Sequence, residues 1–221
     1  MGNHPARRAF LRSLAASVAG VGRCAQSRSL LAAPSALPWK AGLAKVSITP
    51  RRPLWVAGYA NRTKPSEGVV QELHAKALVL QDPSGERAIL VTSDLLGFPA
   101  VVSRTIAKRA EKQYHLTRDQ LLLSSSHRHG GPVVNKMLGI IYPMNAQQSA
   151  DVDAYTNELE KKVAKLVGAA LKALRPARLS WGRGEAGFAM NRRARTKERM
   201  IIGVNKEGPV DHDVPVLPSG S

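Results

Sequence analysis

Acidic side chains are scarce in this 221-residue chain: 16 Asp and Glu stand against 33 Lys and Arg, a formal charge of +17. Such a surplus favours anionic partners, among them nucleic acid, lipid headgroups and cell-wall polymers; a merely solvated basic surface has the same composition. Aromatics are few as well, at 5% of residues, and no basic helix alternates with stacking rings. The sequence therefore predicts no nucleic-acid partner. The single cysteine, Cys24, excludes an internal disulfide, so an apolar core must hold the fold unaided. Long apolar runs are missing too. The one near the N-terminus is short and contains Arg12, which argues against a spanning helix. What is present is globular: 43% hydrophobic and 22% charged residues, enough for one domain with a real core.

The first 37 residues differ from the rest. They hold Arg7, Arg8, Arg12, Arg23 and Arg28 and no acid, while the remainder carries 28 basic and 16 acidic residues, still +12. Paired arginines precede a modest apolar run and then small residues, the layout of an export signal. Arg7-Arg8-Ala9-Phe10-Leu11-Arg12 resembles a twin-arginine signal. The expectation is an export signal and linker over 1–37, cleaved after Ala33 or Ala36, and a domain over 38–221. Arg23 before Cys24 speaks against a lipoprotein. The twin-arginine route is associated with proteins exported already folded, often with a cofactor in place.

Within the domain, Ala41–Ile48, Leu73–Gln81 and Arg87–Ser93 read as strands, the last two joined by a turn at Asp82-Pro83-Ser84-Gly85. Arg51–Ser66 reads as a loop in which Tyr59 either lines a pocket or packs. Asp94 ends its strand where it could orient a metal-binding histidine or cap the helix after it. Helical spacing covers Pro99–His115 and Asp151–Leu174, the second capped by Ser149 or Asp151. Val133–Gln148 reads as a loop over the site, Ala177–Gly184 and Val214–Leu217 as strands, and Asn191-Arg192-Arg193 as a loop. His74 reads as packed, His115 as a cation at a helix C-terminus and His212 as exposed. The pattern predicts an α/β fold, a mixed β-sheet of about seven to eight strands flanked by helices.

The richest stretch is Leu121–Pro132, LLLSSSHRHGGP. A buried strand runs into a polar, Gly-rich turn, with two histidines at the junction. In extended backbone residues i and i+2 share a side, so His127 and His129 can face one point while Arg128 points away. Imidazole is a common zinc ligand, though on spacing alone two such histidines more often simply cap a turn and bond to water. Gly130 and Gly131 permit a sharp turn and close backbone approach, and their N–H groups could hold a developing negative charge.

Ser-Ser-Ser-His-Arg-His-Gly-Gly-Pro resembles the SxxHTHSGP segment of neutral/alkaline ceramidases. Gly42–Pro50, Ala57–Ala60, His74–Leu80, Val91–Gly97, Gly182–Arg193 and Pro209–Leu217 resemble further pieces of the same family in the same order. The resemblance spans roughly residues 41–217. It implies the N-terminal portion of a zinc-dependent amidase that cleaves the N-acyl bond of ceramide-like lipids. It implies zinc on His127, proton transfer by His129 and contact with the substrate's polar part by Arg192. Asp94, Gly130 and Gly131 would then support the metal ligands. The partner would be a lipid amide, with peripheral membrane contact; the leader, separately, predicts export from a bacterial cytoplasm to the periplasm, cell surface or medium.

Two departures matter. Arg128 and Gly130 replace the motif's threonine and serine. The family's remaining zinc ligands fall after Ser221, so the sequence reads as part of a larger enzyme, with weak zinc binding and little turnover in this chain. The alternative is an exported, non-catalytic protein that holds anionic polymer or membrane through its basic surface.

Overall fold

The structure is a computed structural model and describes residues 39–220. The leader readings, Arg7 to Ala36 with Cys24, lie outside the described residues. Ten strands and two α-helices follow in order: β1 (Trp39–Ser47), β2 (His74–Gln81), β3 (Arg87–Ser93), α1 (Ala100–Tyr114), β4 (Leu121–Ser125), α2 (Ala146–Lys172), β5 (Arg175–Leu179), β6 (Gly182–Glu185), β7 (Asn191–Arg195), β8 (Met200–Asn205), β9 (Asp213–Val216) and β10 (Ser219–Gly220).

Six strands form one mixed sheet in the order β10-β5-β1-β2-β3-β4. β1, β2 and β3 pair antiparallel, β2 and β3 through the expected turn, and β4 joins β3 in parallel. A parallel neighbour needs a crossover, and α1 supplies it. Alternation sorts the side chains. Val79, Ile89 and Leu121 lie in one cross-strand row and are buried in the same core as Val102 and Ile106 of α1 and Leu159 and Val163 of α2. The next row, Leu43, Leu78, Leu90 and Leu122, faces the other way, and its outer members are each 62% exposed. Gly42 is where α2 lies closest to the sheet: a Cβ there would sit 2.1 Å from the Ala170 carbonyl oxygen.

α2 starts five residues before the expected Asp151. Asn145, not Ser149 or Asp151, caps it: its side chain accepts from the Gln148 amide, and the Gln148 side chain accepts from the Asn145 amide. This reciprocal box fixes the start although the first turn has no apolar face to announce it. Nor does Asp94 cap α1, whose N-cap is Pro99 with no side-chain hydrogen bond. The segment expected as one strand over Ala177–Gly184 breaks at Ser180-Trp181 into β5, paired with β1, and β6, paired with β9. Asn191-Arg192-Arg193 lies in β7 rather than a loop, paired with β8 across a bulge. No described helix is long and apolar enough to cross a membrane.

Candidate active site

β4 ends at Ser125, and the chain then follows the continuation of β3. The Ser126 amide donates to the Ser93 carbonyl (3.0 Å) and the Arg128 amide to the Leu95 carbonyl (2.9 Å). The segment next crosses to Trp55–Ala57: the Ala57 amide donates to the Gly131 carbonyl (2.9 Å) and Val133 to the Trp55 carbonyl (2.7 Å). The site loop is thus stitched between two buried stretches.

Both imidazoles converge, with ring centroids 5.1 Å apart at 62°. They do not converge through extended alternation. His127 has φ of 55°, a left-handed conformation uncommon for a side chain with a Cβ. Its Nδ1 lies 3.1 Å from the Leu96 carbonyl oxygen. A carbonyl can only accept, so that nitrogen carries the proton, and the neutral form of the ring then has its lone pair on Nε2. His127 is exposed and His129 half-buried. The Nδ1 of His129 is buried with no hydrogen-bond partner.

Residues far away in sequence hold His129. Tyr59 meets its ring edge-on at 4.7 Å. Arg62 donates from Nη2 to its carbonyl oxygen (2.8 Å) and lies 5.4 Å from the Tyr59 ring centroid. Gly58 underlies the ring: it has φ of +110°, and a Cβ there would fall 2.5 Å from His129 Cγ. Its amide donates to the Tyr142 hydroxyl (2.9 Å). Tyr59 itself is 54% exposed, so it neither lines a closed pocket nor packs in the core. Gly58 and Leu96 are marked in the sequence only by lying in family-like motifs, and Tyr59 also as a ring that lines a pocket or packs; Arg62 and Tyr142 carry no signal of their own.

The expected supporting residues divide. Asp94 is not seen on an imidazole; its carboxylate accepts from the His74 amide (2.9 Å), and a main-chain carbonyl orients His127 instead. Gly131 is needed for room rather than for unusual torsions: a Cβ would lie 3.0 Å from the Asp94 carbonyl oxygen. Its N–H points to the Arg128 carbonyl (3.4 Å) rather than into open space. Gly130 is exposed, and neither glycine has positive φ. Arg192 is exposed on β7, donating from Nε to the Gly203 carbonyl (2.9 Å) and lining a groove of about 500 Å³ that neither histidine lines. The fold does not bring Arg192 and the histidine pair into one cavity.

The pair fits a zinc ion in kind, since imidazole nitrogen is a zinc donor, but not in number. Zinc takes about three protein ligands beside its open position. Among the described residues no group of three His, Cys, Asp or Glu converges.

The sequence profile of the neutral/alkaline non-lysosomal ceramidase N-terminal region matches residues 39–197. Neutral ceramidase of Oryza sativa subsp. japonica is 27% identical over 101 residues, covering 44% of this chain and 13% of that protein. Neutral ceramidase of Drosophila melanogaster is 29% identical over 99 residues, covering 42% of this chain and 14% of its own. The crystal structure of neutral ceramidase from Pseudomonas aeruginosa superimposes with a TM-score of 0.60 at 23% identity, over 72% of this chain and 25% of that one. The chain thus matches about a seventh of these curated relatives' length, and the structural likeness speaks for the fold. With the profile match spanning most of the chain, the protein belongs to the neutral/alkaline non-lysosomal ceramidase family.

Proposed function

We propose that this chain carries part of the active site of a zinc-dependent hydrolase acting on the N-acyl bond of ceramide-like, linear lipid amides. The observation that supports it best is the histidine pair: two imidazoles 5.1 Å apart, one with its Nδ1 fixed by a main-chain carbonyl. His127 offers Nε2 as a ligand. His129, beside it, is assigned proton transfer, and its unpartnered Nδ1 leaves a hydrogen bond for a bound group. Arg192 has Nε on its own hairpin and its Nη groups unpaired among the described residues, and is assigned the substrate's polar head. Zinc, when bound, polarises a carbonyl and lowers the pKa of its water.

His127 is the one zinc ligand assigned in this chain, and a single imidazole holds zinc weakly. Calorimetric zinc titration of the chain is therefore expected to give weak binding that His127→Ala removes, with little or no turnover of an N-acyl-sphingosine. Tight one-to-one binding would overturn the single-ligand assignment; binding indifferent to His127→Ala would overturn the role of His127. Export rests on the paired arginines of the leader, and fusing residues 1–40 to a reporter tests it. A lipid amide substrate also entails peripheral contact with the membrane that carries it.

A further inference from the structure

A second cavity borders the histidine segment, lined by neither His127 nor His129. It holds about 700 Å³, within the range of small-molecule sites, and is walled by the loop over residues 49–73 and by Arg128, Gly130 and Pro132. Arg128 is therefore part of this wall.

Five cations line this cavity, Arg51, Arg52, Arg62, Lys64 and Arg128, against one acid, Glu67. Glu67 is already bonded to Lys64 at 2.6 Å. Arg51 is near enough to Glu158 to hold that carboxyl below its usual range, after the larger effect of Lys162. Among the described residues, Arg52, Arg62 and Arg128 have no carboxylate within 4.0 Å. Arg62 is fixed by its bond to the His129 carbonyl, yet its Nε is buried without a partner. A buried N–H lacking an acceptor is costly, and a ligand oxygen would remove that cost. Arg128 folds back over Gly130, where a Cβ would lie 3.3 Å from its Nε.

The rest of the wall mixes polar side chains, Thr49, Asn61, Thr63, Ser66 and Gln71, with apolar ones. Leu54, Val56 and Pro132 contribute, and Val69 and Val70 stand 59% and 105% exposed at the rim. Inorganic anions gain nothing from such side chains; an acyl chain does.

We propose that this cavity binds an amphipathic carboxylate. The head is taken by Arg62 and Arg128, whose planar donor forks match a carboxylate, and the chain by Leu54, Val56, Val69 and Val70. This binding needs neither metal nor turnover, so it stands or falls apart from the hydrolase assignment.

The test is calorimetric titration of the chain with laurate, with chelator present throughout. Laurate is expected to bind, whereas acetate, inorganic phosphate and dodecanol at the same concentration bind far more weakly. Arg128→Gln should weaken laurate about tenfold, the loss of one charge-assisted pair. Arg62→Gln should do the same; if it fails to fold by circular dichroism, Arg128→Gln decides alone. Dodecanol binding as tightly as laurate would make this a plain apolar cleft, and phosphate doing so a plain anion site. Either result, or laurate affinity unchanged in Arg128→Gln, overturns the proposal.

Discussion

Residues 39–172 and 175–220 are both rich in paired strands, yet only the first stretch has an interior. Every buried residue among those described lies between Ala41 and Ala170. Beyond it, β6 to β9 form two antiparallel pairs that leave Trp181, Phe188 and Ile202 exposed at 81%, 89% and 75%. Strands pair through backbone hydrogen bonds in both regions, so pairing does not distinguish them. Apolar burial does. It is the dominant favourable term in folding, and an isolated two-stranded pair is marginal without it. The histidine pair and the basic cavity belong to the first region, Arg192 to the second. The contacts that fix the imidazoles are therefore anchored in packed structure, while Arg192 rests on a single hydrogen-bonded hairpin.

The sharpest way to break this contrast is to place a carboxylate in each region. Val163→Asp in the core should cost more than about 4 kcal/mol, enough to abolish cooperative urea unfolding. Ile202→Asp on β8 should change stability by less than about 0.5 kcal/mol. A large loss from Ile202→Asp would mean that the hairpins bear stability after all. A smaller contrast comes from two glycines. Gly42→Ala drives a methyl into the Ala170 carbonyl and should cost about 1–3 kcal/mol. Gly187→Ala meets nothing within 4 Å and should leave the urea midpoint nearly unchanged.

The smallest effect depends on pH. Burial raises the Glu160 carboxyl above its usual range, and Arg109, with its nearest nitrogen 4.0 Å away, only partly offsets this. A raised folded-state pKa means that the stability contribution is complete below the unfolded value, near pH 4, and is lost as pH climbs through the folded one. Glu160→Gln should therefore match the parent in acid and melt slightly higher at pH 7. Thermal unfolding at both pH values checks the sign; a variant less stable at pH 7 would show the ion pair with Arg109 to outweigh desolvation.

The strands of the first region were legible because half-buried strands alternate, and α1 because one face is apolar. The start of α2 was not, because a polar capping box set it ahead of the first buried residue, Val152. β7 was hidden for a related reason: a strand that buries nothing shows no alternation, and Asn191-Arg192-Arg193 reads as loop until Met200–Asn205 pairs with it. In the site, His-x-His foretold convergence but not its cause. The ring positions depend on a left-handed His127 and on hydrogen bonds spanning 31, 67 and 84 residues, from Leu96, Arg62 and Tyr142.

By itself the sequence determined the α/β class, the central strand that ends in two histidines, and the family, since each is written in local periodicity or in contiguous motifs. Only tertiary structure decided which groups surround those histidines, that Arg128 faces a separate basic cavity, and that Arg192 stands apart. Such facts come from segments brought together by the collapse of a common core, and no short window of sequence encodes which distant residue will arrive.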